Sequence, residues 1–387
     1  MSLRILIATH APADSLTAVY RSHLARAEYL RREGHHVDVV TPKDLQRSRW
    51  SRLDPLALPP ALVFHRLSRY DVAIFHSYMG WGFHALRPQL DPGRRLVTIT
   101  SFHGLEPLYH DAVSREYQRT GRRLSTRFKL LHHVCLPRML KASCRASDAL
   151  FCLNSGEVDY LTSHRWADGD RIFRVWNGVE PDCFVARPGT SRARRLLFVG
   201  QWLPGKGVRY LVTMFSTLLA RRDVELACVG TGASPEEVSS SFPLEVRSRV
   251  SVVPRVDRAG LHRELGRADV FVFPTLSEGF SYALLEAMAA GLPVVATPAG
   301  AAADLLRDEG NAIVVPCADA DALLRGVERV LDDAVLRDRL ASAARQTATN
   351  YTEHAASARF AECVSQVVRR HALEHSRPLV IDRNVVS

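Results

Sequence analysis

One stretch of the chain contains a strand, a loop, a helix, a turn and a second strand in succession: residues 273–296 read FPTLSEGFSYALLEAMAAGLPVVA. The apolar run that ends at Phe273 predicts a buried strand, and the residues after the loop favour a helix. Gly291 is typical of the turn that ends a helix, and residues 293–296 predict the next strand. A helix between two such strands indicates a parallel β-α-β unit.

The same alternation extends through the whole chain. In the second half, short apolar runs separated by segments long enough for helices predict strands at 196–199, 224–229, 250–253, 270–273, 293–296 and 313–315. In the first half, equivalent runs predict strands at 3–8, 37–40, 72–75, 96–100, 149–153 and 172–175. Alternation of this kind implies parallel sheets with helices on both faces, so the predicted fold class is α/β with two Rossmann-like domains.

The boundary between the two series falls in a polar stretch that contains Pro and Gly, residues 186–192. Such a composition is typical of linkers between domains. We therefore predict an N-terminal domain over residues 1–188 and a C-terminal domain over residues 189–350. A final helix and tail, residues 351–387, are expected to pack back on the N-terminal domain.

Length and composition exclude several classes of protein. The chain has 387 residues, of which 47% are apolar, 24% charged and 8% aromatic, so disordered, collagen-like and coiled-coil proteins are excluded. No run approaches 18 consecutive apolar residues, which excludes a membrane-spanning helix. The N-terminus, MSLRILIATH, lacks the basic and then apolar order of a signal peptide, so a cytoplasmic protein is expected. The seven cysteines have no zinc-type spacing and are predicted to be reduced core residues.

Two glutamates of the opening stretch are spaced to face one cleft. Glu286 follows Glu278 by eight residues, and eight helical steps of about 100° bring the two within roughly 80° of one face. Both can therefore line the carboxyl edge of the sheet, where open α/β sheets bind ligands. The N–H groups of Gly279, Phe280 and Ser281 start the helix and can donate to hydroxyl or phosphate oxygens. The arrangement suits a ligand in which a polyol is joined to a diphosphate. If the two glutamates are considered alone, the simpler interpretation is that Glu278 is a first-turn carboxylate stabilised by the helix dipole and that Glu286 is a solvated helix residue.

A glycine-lined turn follows the first strand of the C-terminal series: residues 200–207 read GQWLPGKG. This pattern begins like a P-loop, but Gly207 stands where a P-loop needs a Ser or Thr hydroxyl for Mg²⁺, so nucleoside-triphosphatase chemistry is disfavoured. The backbone N–H groups of the turn and Lys206 can still hold a diphosphate. The alternative is a helix-capping turn with a solvated lysine.

Residues 273–296 as a whole resemble the signature of the family 4 (group 1) retaining glycosyltransferases, which take a sugar from a nucleotide-sugar. The resemblance depends on the E-x7-E element, the Gly-Phe after its first glutamate, and the E-A-M-A-x-G-x-P-V-V-A context. It implies the GT-B fold, in which two Rossmann-like domains face each other across a cleft. The N-terminal domain would then bind the acceptor and the C-terminal domain the nucleotide-sugar.

The resemblance also implies roles for individual residues. Glu286 would hold the ribose hydroxyls, whereas Glu278 and the amides of residues 279–281 would face the donor sugar and its phosphate. Lys206 matches a family lysine that neutralises the departing diphosphate, and Arg255 with Val256 would lie against the base. The implied donor-binding residues are Gly200, Lys206, Arg255, Val256, Glu278, Gly279, Phe280, Ser281, Leu285 and Glu286.

Some positions depart from the family pattern. Gln201 stands where the family has an arginine, which removes one cation from the leaving-group site and leaves open whether Arg209 or Arg255 replaces it. Asp304 occupies the place of an acidic residue in the family's G-G-x-x-E stretch, and Ala301 stands for the second glycine.

The resemblance is sparser in the N-terminal half. His103, in a His-Gly pair after a strand, would point into the cleft and polarise the donor; the alternative is a loop histidine bonded to backbone. His76 resembles a second cleft histidine, and residues 177–179 resemble an Asn-Gly-Val segment before the linker, with Glu180 for the usual Asp. Residues 11–15 lack the Gly-Gly pair of many relatives, which also disfavours a dinucleotide-dependent dehydrogenase.

The resemblance implies a hexosyltransferase-like enzyme with His103, Lys206 and Glu278 as catalytic residues. The nucleoside diphosphate would depart while the acceptor arrives on the same face, with the charge balanced by Lys206 and helix N-termini. No carboxylate cluster with metal-ligand spacing stands out, so neither a metal nor another cofactor is expected. The alternatives are an epimerase or phosphorylase on the same fold, and a non-catalytic nucleotide-sugar sensor or scaffold.

The excess positive charge lies in the first half of the chain. Residues 1–190 hold 27 basic and 18 acidic side chains, whereas residues 191–387 hold 24 and 23. Residues 115–145 hold nine Arg or Lys with Glu116 as the single acid, and apolar residues recur among them at loosely helical spacing. This pattern predicts peripheral docking on an anionic membrane, towards a glycan or lipid-linked acceptor; a core-facing helix with solvated arginines and a phosphorylated-acceptor site are alternatives. No nucleic-acid-binding module is present, so no nucleic-acid partner is expected.

Overall fold

The computed structural model describes residues 2–11, 18–45, 67–184 and 193–375, which form two α/β domains, each on a parallel sheet of six strands. Every strand lies within one residue of a run predicted from the sequence. The predicted fold class is therefore confirmed. Most of the expected linker, the tail beyond residue 375 and most of the turn at residues 11–15 lie outside the described residues.

The N-terminal sheet has the strand order β2-β1-β3-β4-β5-β6, with every neighbouring pair parallel. Its central strands β3 and β4 are buried along their whole length because helices cover both faces. The strands are β1 (Arg4–Ala8), β2 (His36–Val40), β3 (Val72–His76), β4 (Val97–Ser101), β5 (Ala149–Cys152) and β6 (Ile172–Arg174). The described helices between them are α1 (Ala18–Arg32), α2 (Pro42–Leu45), α3 (Trp81–Leu90), α4 (Glu106–Arg119), α5 (Thr126–Lys129), α6 (Leu136–Ala146) and α7 (Ser155–Ser163).

The C-terminal sheet has the order β12-β11-β10-β7-β8-β9 and is also parallel. Its strands are β7 (Arg195–Val199), β8 (Glu225–Val229), β9 (Val250–Val253), β10 (Val270–Phe273), β11 (Val294–Ala296) and β12 (Ile313–Val314). Its helices are α8 (Val208–Leu219), α9 (Pro235–Ser240), α10 (Arg258–Arg267), α11 (Tyr282–Ala289), α12 (Ala302–Leu305), α13 (Ala320–Asp332) and α14 (Ala334–Ala348).

The strand orders determine where each sheet opens a crevice. In the N-terminal sheet β1 lies between β2 and β3, and in the C-terminal sheet β7 lies between β8 and β10. The strand order therefore reverses beside β1 and beside β7, and the loops at the carboxyl ends of β1 and β3, and of β7 and β10, diverge there. The two domains meet along these edges, where Gly104 faces Gly279 closely.

The last helix, α15 (Glu353–His375), packs against the N-terminal domain. The Phe360 ring meets the Phe151 ring edge-on, with 5.3 Å between centroids. Arg370 donates to the carbonyl oxygens of Asp148 and Asp170, each at 2.8 Å. Helix α15 thus ties the end of the chain to the first sheet.

One apolar core runs through both domains. Buried side chains of the N-terminal sheet, such as Ile7 and Phe151, belong to the same cluster as Phe273 and Leu285 of the C-terminal domain. A second cluster fills the far side of the C-terminal sheet, around Phe215. Because burial of apolar area is the main stabilising term, this continuity holds the domains against each other.

Residues 115–145 are not one helix. The segment comprises the end of α4, a connection at residues 120–125, helix α5, a π-helical turn (Leu130–Cys135) and helix α6. The apolar residues among the basic ones do not share one environment. Leu140 is 1% exposed and belongs to the core, whereas Leu130 and Val134 are 58% and 37% exposed. In the part of the chain that the structure describes, no helix is both long and apolar enough to cross a bilayer.

The cysteines are free thiols, but they are not all in the core. Cys317 is exposed and Cys135 is half-buried, while the other five are buried. Cys317 departs from the prediction because it lies in the loop after β12, beyond the covered part of the sheet.

Candidate active site

The two loops beside the reversal in the C-terminal sheet bring Lys206 and Glu278 together. Lys206 ends a 3₁₀ turn (Pro204–Lys206) after β7, Glu278 follows β10, and the ammonium donates to the glutamate Oε2. Gly207 has φ of +69°, and a Cβ at this position would collide with the carbonyl oxygen of Pro274. The glycine that excluded a P-loop therefore allows the two loops to lie in contact.

Helix α11 begins directly behind Glu278. Ser281 caps it by accepting a hydrogen bond from the Leu284 N–H at 3.3 Å, and Glu278 Oε1 accepts from the Gly279 N–H at 3.3 Å. Other N–H groups of the first turn have no acceptor within the helix and carry its positive end. The side chains of Phe280 and Leu285 are 6% and 0% exposed, so they pack the core.

Glu286 lies about one turn into the same helix and is paired across the cleft. Its Oε1 is 3.0 Å from Nη2 of Arg21, which belongs to α1 of the N-terminal domain. The Arg21 guanidinium also lies over the Tyr282 ring, 4.4 Å from its centroid. Burial acts to lower the pKa of Arg21, but the charges of Glu286 and Tyr282 outweigh it and the pKa is raised. The guanidinium is therefore firmly charged.

Four histidines of the N-terminal domain form a cluster, and the backbone of one of them, His103, lies against Gly279 in the loop after β10. His103 lies edge-on to His23 and His76, with 4.6 and 5.1 Å between ring centroids, and His76 stacks on His10 at 4.3 Å. The His76 Nδ1 lies 3.1 Å from the Thr9 hydroxyl. Among the described residues, both ring nitrogens of His23 and Nε2 of His103 have no hydrogen-bond partner.

Burial keeps these imidazoles neutral. It lowers the pKa of His10 to about 4, and burial together with the charge of Arg26 and His10 lowers that of His23 to about 3. The pKa values of His76 and His103 are lowered well below the ordinary value, first by burial and then by neighbouring cationic groups. At neutral pH, His103 can therefore offer a hydrogen bond, but it carries no charge.

The loops of the two domains touch at Gly279. A Cβ at Gly279 would lie 2.7 Å from the Gly104 nitrogen and 2.8 Å from the His103 carbonyl carbon, so a glycine is needed here. Asn154 donates to the Gly279 carbonyl and Asn177 to the Phe280 carbonyl, each at 3.0 Å. The Asn-Gly-Val segment at residues 177–179 is thus hydrogen-bonded directly to the loop between β10 and α11.

Asp304 is held between the domains. It accepts hydrogen bonds from the N–H and the hydroxyl of Ser155, at 2.9 and 2.5 Å, and Arg174 lies 2.6 Å from its Oδ2. The acidic residue expected after Gly300 therefore contacts the N-terminal domain in this structure.

The arginines considered as replacements at position 201 do not reach the Lys206–Glu278 pair. Arg209 is 3.4 Å from Glu116 of α4, and Arg255 is exposed, with no ion pair among the described residues. Gln201 itself is exposed. Gly200 lies beside the Lys206 side chain, and Val256 packs partly against the core.

Sequence reasoning missed the contribution of helix α1. Ser22, His23 and Arg26 are 2%, 1% and 3% exposed, and Arg26 donates to the Asn177 amide oxygen at 3.3 Å. Burial lowers the pKa of Arg26 to about 10. These residues could have been recognised because they are polar residues on the face of α1 that is turned towards the protein interior in this fold. Within the described residues, no group of three side chains with metal-binding geometry includes Glu278 or Glu286.

Comparison with protein families gives matches over most of the chain. A model described as "Glycosyltransferase Family 4" matches residues 21–182, and one described as "Glycosyl transferases group 1" matches residues 193–333. The chain is 26% identical to an uncharacterised glycosyltransferase of Methanocaldococcus jannaschii over 83% of this chain and 86% of that one. It is 32% identical to the phosphatidyl-myo-inositol mannosyltransferase of Mycobacterium leprae, over 49% of this chain and 53% of that one.

Solved structures share the fold at lower identity. Sucrose-phosphate synthase from Thermosynechococcus elongatus superposes with a TM-score of 0.77 at 20% identity, over 95% of this chain and all of that one. The Anabaena protein HepE in complex with UDP-glucose gives a TM-score of 0.71 at 15% identity, over 94% of this chain and all of that one.

Proposed function

The chain belongs to the group 1 glycosyltransferases of family 4, and from this membership we propose that it transfers a sugar from a nucleotide-sugar to a glycan, lipid-linked or other small acceptor. The transfer retains the anomeric configuration and uses no metal ion. Support for a nucleotide-sugar donor comes from HepE, which shares the fold and is described with UDP-glucose.

The observation that carries the proposal is the placement of Lys206, Glu278 and Glu286. One ammonium and two carboxylates line a single edge of the C-terminal sheet, next to the N-terminus of α11. A cation and a helix N-terminus suit a diphosphate, whereas carboxylates suit the hydroxyls of a ribose and a sugar. The four-histidine cluster belongs to the N-terminal domain, which in this proposal binds the acceptor.

In this proposal the bond between the anomeric carbon and the diphosphate oxygen breaks as the acceptor hydroxyl attacks from the same face, and the hydroxyl proton passes to the departing diphosphate. Lys206 and the helix N-terminus balance the charge that develops on the leaving diphosphate, which is the principal electrostatic task. Because burial lowers the pKa of His103, its imidazole is neutral at pH 7. It therefore orients the donor through a hydrogen bond and does not stabilise the leaving group with a positive charge. Glu286 accepts hydrogen bonds from the ribose hydroxyls, and Glu278 faces the donor sugar.

Gln201 shifts the charge balance of the leaving-group site onto fewer groups. Arg209 is engaged with Glu116, so we assign it to domain contact. Lys206 then carries more of the stabilisation than it would beside an arginine at position 201. A low intrinsic turnover is expected from this difference.

The test is consumption of UDP-, GDP- and ADP-sugars by the purified protein in EDTA. Release of one nucleoside diphosphate, strongly reduced in Lys206→Ala and Glu286→Ala, would support the donor site. Matched controls are Lys43→Ala and Glu245→Ala, which change exposed residues away from the loops. Binding without turnover, even with acceptors added, would favour a sensor; a requirement for Mg²⁺ or Mn²⁺ would contradict metal independence. Anomeric NMR of a product tests retention.

The exposed basic surface of the N-terminal domain supports peripheral docking of the enzyme at the cytoplasmic face of an anionic membrane. Helix α4 begins at the cleft, where the Tyr109 ring packs on Gly205, and it ends at exposed arginines. Beyond it, Leu130 and Val134 expose apolar area among the cations. The exposed cations of this surface are Arg115, Arg119, Arg122, Arg123, Arg127, Lys129, Arg138 and Arg145.

Co-sedimentation with vesicles tests the docking. Each cation near an anionic surface contributes about 1 kcal/mol, so a triple Arg122→Gln, Arg123→Gln, Arg127→Gln variant should bind anionic vesicles about 100-fold more weakly. High salt should have a similar effect. A triple variant of exposed arginines in the C-terminal domain, Arg221→Gln, Arg263→Gln and Arg325→Gln, is the control. Equal binding to neutral vesicles, or no binding to either, would contradict the docking.

A further inference from the structure

Three side chains of different chemistry converge where the chain leaves the N-terminal domain. Asp182 and Cys183 belong to a 3₁₀ turn (Pro181–Cys183), and His262 belongs to α10 of the C-terminal domain. Cys183 Sγ lies 3.4 Å from His262 Nε2, and that nitrogen lies 3.9 Å from Asp182 Oδ1. One ligand atom from each of the three lies within 4.8 Å of the others.

The sulfur–nitrogen separation fits a tetrahedral zinc ion, whereas the Asp182 oxygen would have to move about 0.5 Å closer to the His262 nitrogen to complete the tetrahedron. With Zn–S of about 2.3 Å and Zn–N of about 2.0 Å, a sulfur and a nitrogen of one tetrahedron are about 3.5 Å apart. The set of one thiolate, one imidazole and one carboxylate is also the borderline-soft donor set that Zn²⁺ accepts. We propose that Asp182, Cys183 and His262 bind one zinc-class divalent cation, with water as the fourth ligand.

A divalent ion would bind Cys183 as the thiolate, so the thiol proton is released to solvent as the ion binds. The Asp182 carboxylate supplies a second negative charge to the site.

One of the three proposed ligands, Asp182, is itself held by a neighbouring side chain. Arg258, on the same helix as His262, pairs with both Glu180 and Asp182 and so orients the Asp182 carboxylate. Ligating carboxylates are commonly held by such outer partners. Asp182 is exposed and His262 half-buried, so an ion can approach from solvent while Cys183 closes the site from within.

An ion here would join the two domains at the segment that connects them. Two ligands come from the end of the N-terminal domain and one from the C-terminal domain. Bound metal would therefore restrict movement of α10 relative to the N-terminal domain, without entering the transfer reaction. This inference goes beyond the proposed function and does not depend on it.

The test uses the full-length protein, stripped with a chelator and titrated under reducing conditions with Co²⁺ and then Zn²⁺. One equivalent of Co²⁺ should produce a thiolate-to-cobalt charge-transfer absorption, which Zn²⁺ abolishes on displacement. Cys183→Ser should remove this absorption. Asp182→Asn and His262→Ala should weaken Zn²⁺ binding at least about tenfold, since the loss of an outer partner alone costs that much.

Cys317→Ser and His164→Ala are the matched controls, because both change exposed residues far from the turn. Circular dichroism establishes that each variant is folded, and Asp182→Asn keeps the test valid if the buried Cys183 variant does not fold. The absence of a one-equivalent thiolate–cobalt signal in the wild type would overturn the proposal. Zinc affinity unchanged in folded Asp182→Asn and His262→Ala would also overturn it.

Discussion

Arg21 and Glu286 form an ion pair across the cleft, with 3.0 Å between the guanidinium Nη2 and the carboxylate Oε1. The carboxylate that the family resemblance assigns to the ribose therefore also connects the two domains. Arg21 lies on the first helix of the chain and Glu286 on a helix of the second domain. Any ligand of Glu286 must share this carboxylate with Arg21 or displace it.

The two residues should be energetically coupled. We expect Arg21→Ala and Glu286→Ala each to lower the midpoint of thermal unfolding, and the double variant to lose less than the sum, with a coupling of about 0.5–3 kcal/mol. The reason is that either single change leaves a partly buried charge unpaired. The same cycle on Arg222 and Asp332, an exposed pair, should show little coupling. Additive effects at Arg21 and Glu286 would contradict the prediction.

Lys206 should act mainly on the transition state. If its ammonium stabilises the departing diphosphate, Lys206→Ala should lower kcat by about 10²–10³ with a smaller change in KM, because charge on the diphosphate grows as the bond breaks. Steady-state kinetics on the best donor measure this split. Lys43→Ala should leave both constants unchanged. A rise in KM at constant kcat would instead show that Lys206 only binds the ground state.

Gly279→Ala should impair catalysis through the fit of the two domains. The added Cβ would meet backbone atoms of His103 and Gly104 at 2.7–2.8 Å, so the loops must separate, and a shift near 1 Å can cost about 100-fold in kcat. Gly266→Ala, where the new Cβ meets nothing within 4 Å, is the control and should stay active. Full activity of Gly279→Ala would mean that this contact is not needed in the reacting state.

The histidine cluster should make the fold sensitive to acid. The pKa of His10 falls from 6.5 to about 4 on folding, so between these pH values the unfolded chain binds a proton that the folded chain does not. The contribution of His10 to the free energy of unfolding is complete above pH 6.5. It is lost as the pH falls to about 4, by at most about 1.4 kcal/mol per pH unit.

His10→Phe tests this because it keeps a ring between His76 and Tyr78 but removes the proton site. Its unfolding midpoint should fall less steeply than that of the wild type between pH 6.5 and 5. His164→Phe, which changes an exposed histidine stacked on Tyr160, is the control. Parallel pH profiles of His10→Phe and the wild type would contradict the prediction.

The sheet architecture could be predicted from the sequence because it depends on local patterns. Parallel strands covered on both faces are short continuous apolar runs, so Val72–His76 and Val270–Phe273 could be recognised without knowing their neighbours. The same approach failed over residues 115–145, where one basic pattern covers the end of α4, helices α5 and α6 and a π-helical turn. A run of basic residues with apolar residues among them does not specify where a helix is interrupted.

The linear sequence by itself determined the two sheets, whereas Glu278 and Glu286 were a prediction for one edge of the C-terminal sheet that depended on the E-x7-E spacing and on the family resemblance. Only the tertiary structure decided what these groups meet: Arg21 lies 265 residues from Glu286, and His262 lies 79 residues from Cys183. Strand and helix formation depends on periodicities of a few residues, which a sequence displays directly. Pairing of distant charges and thiols depends on how two domains pack, and no local periodicity encodes that.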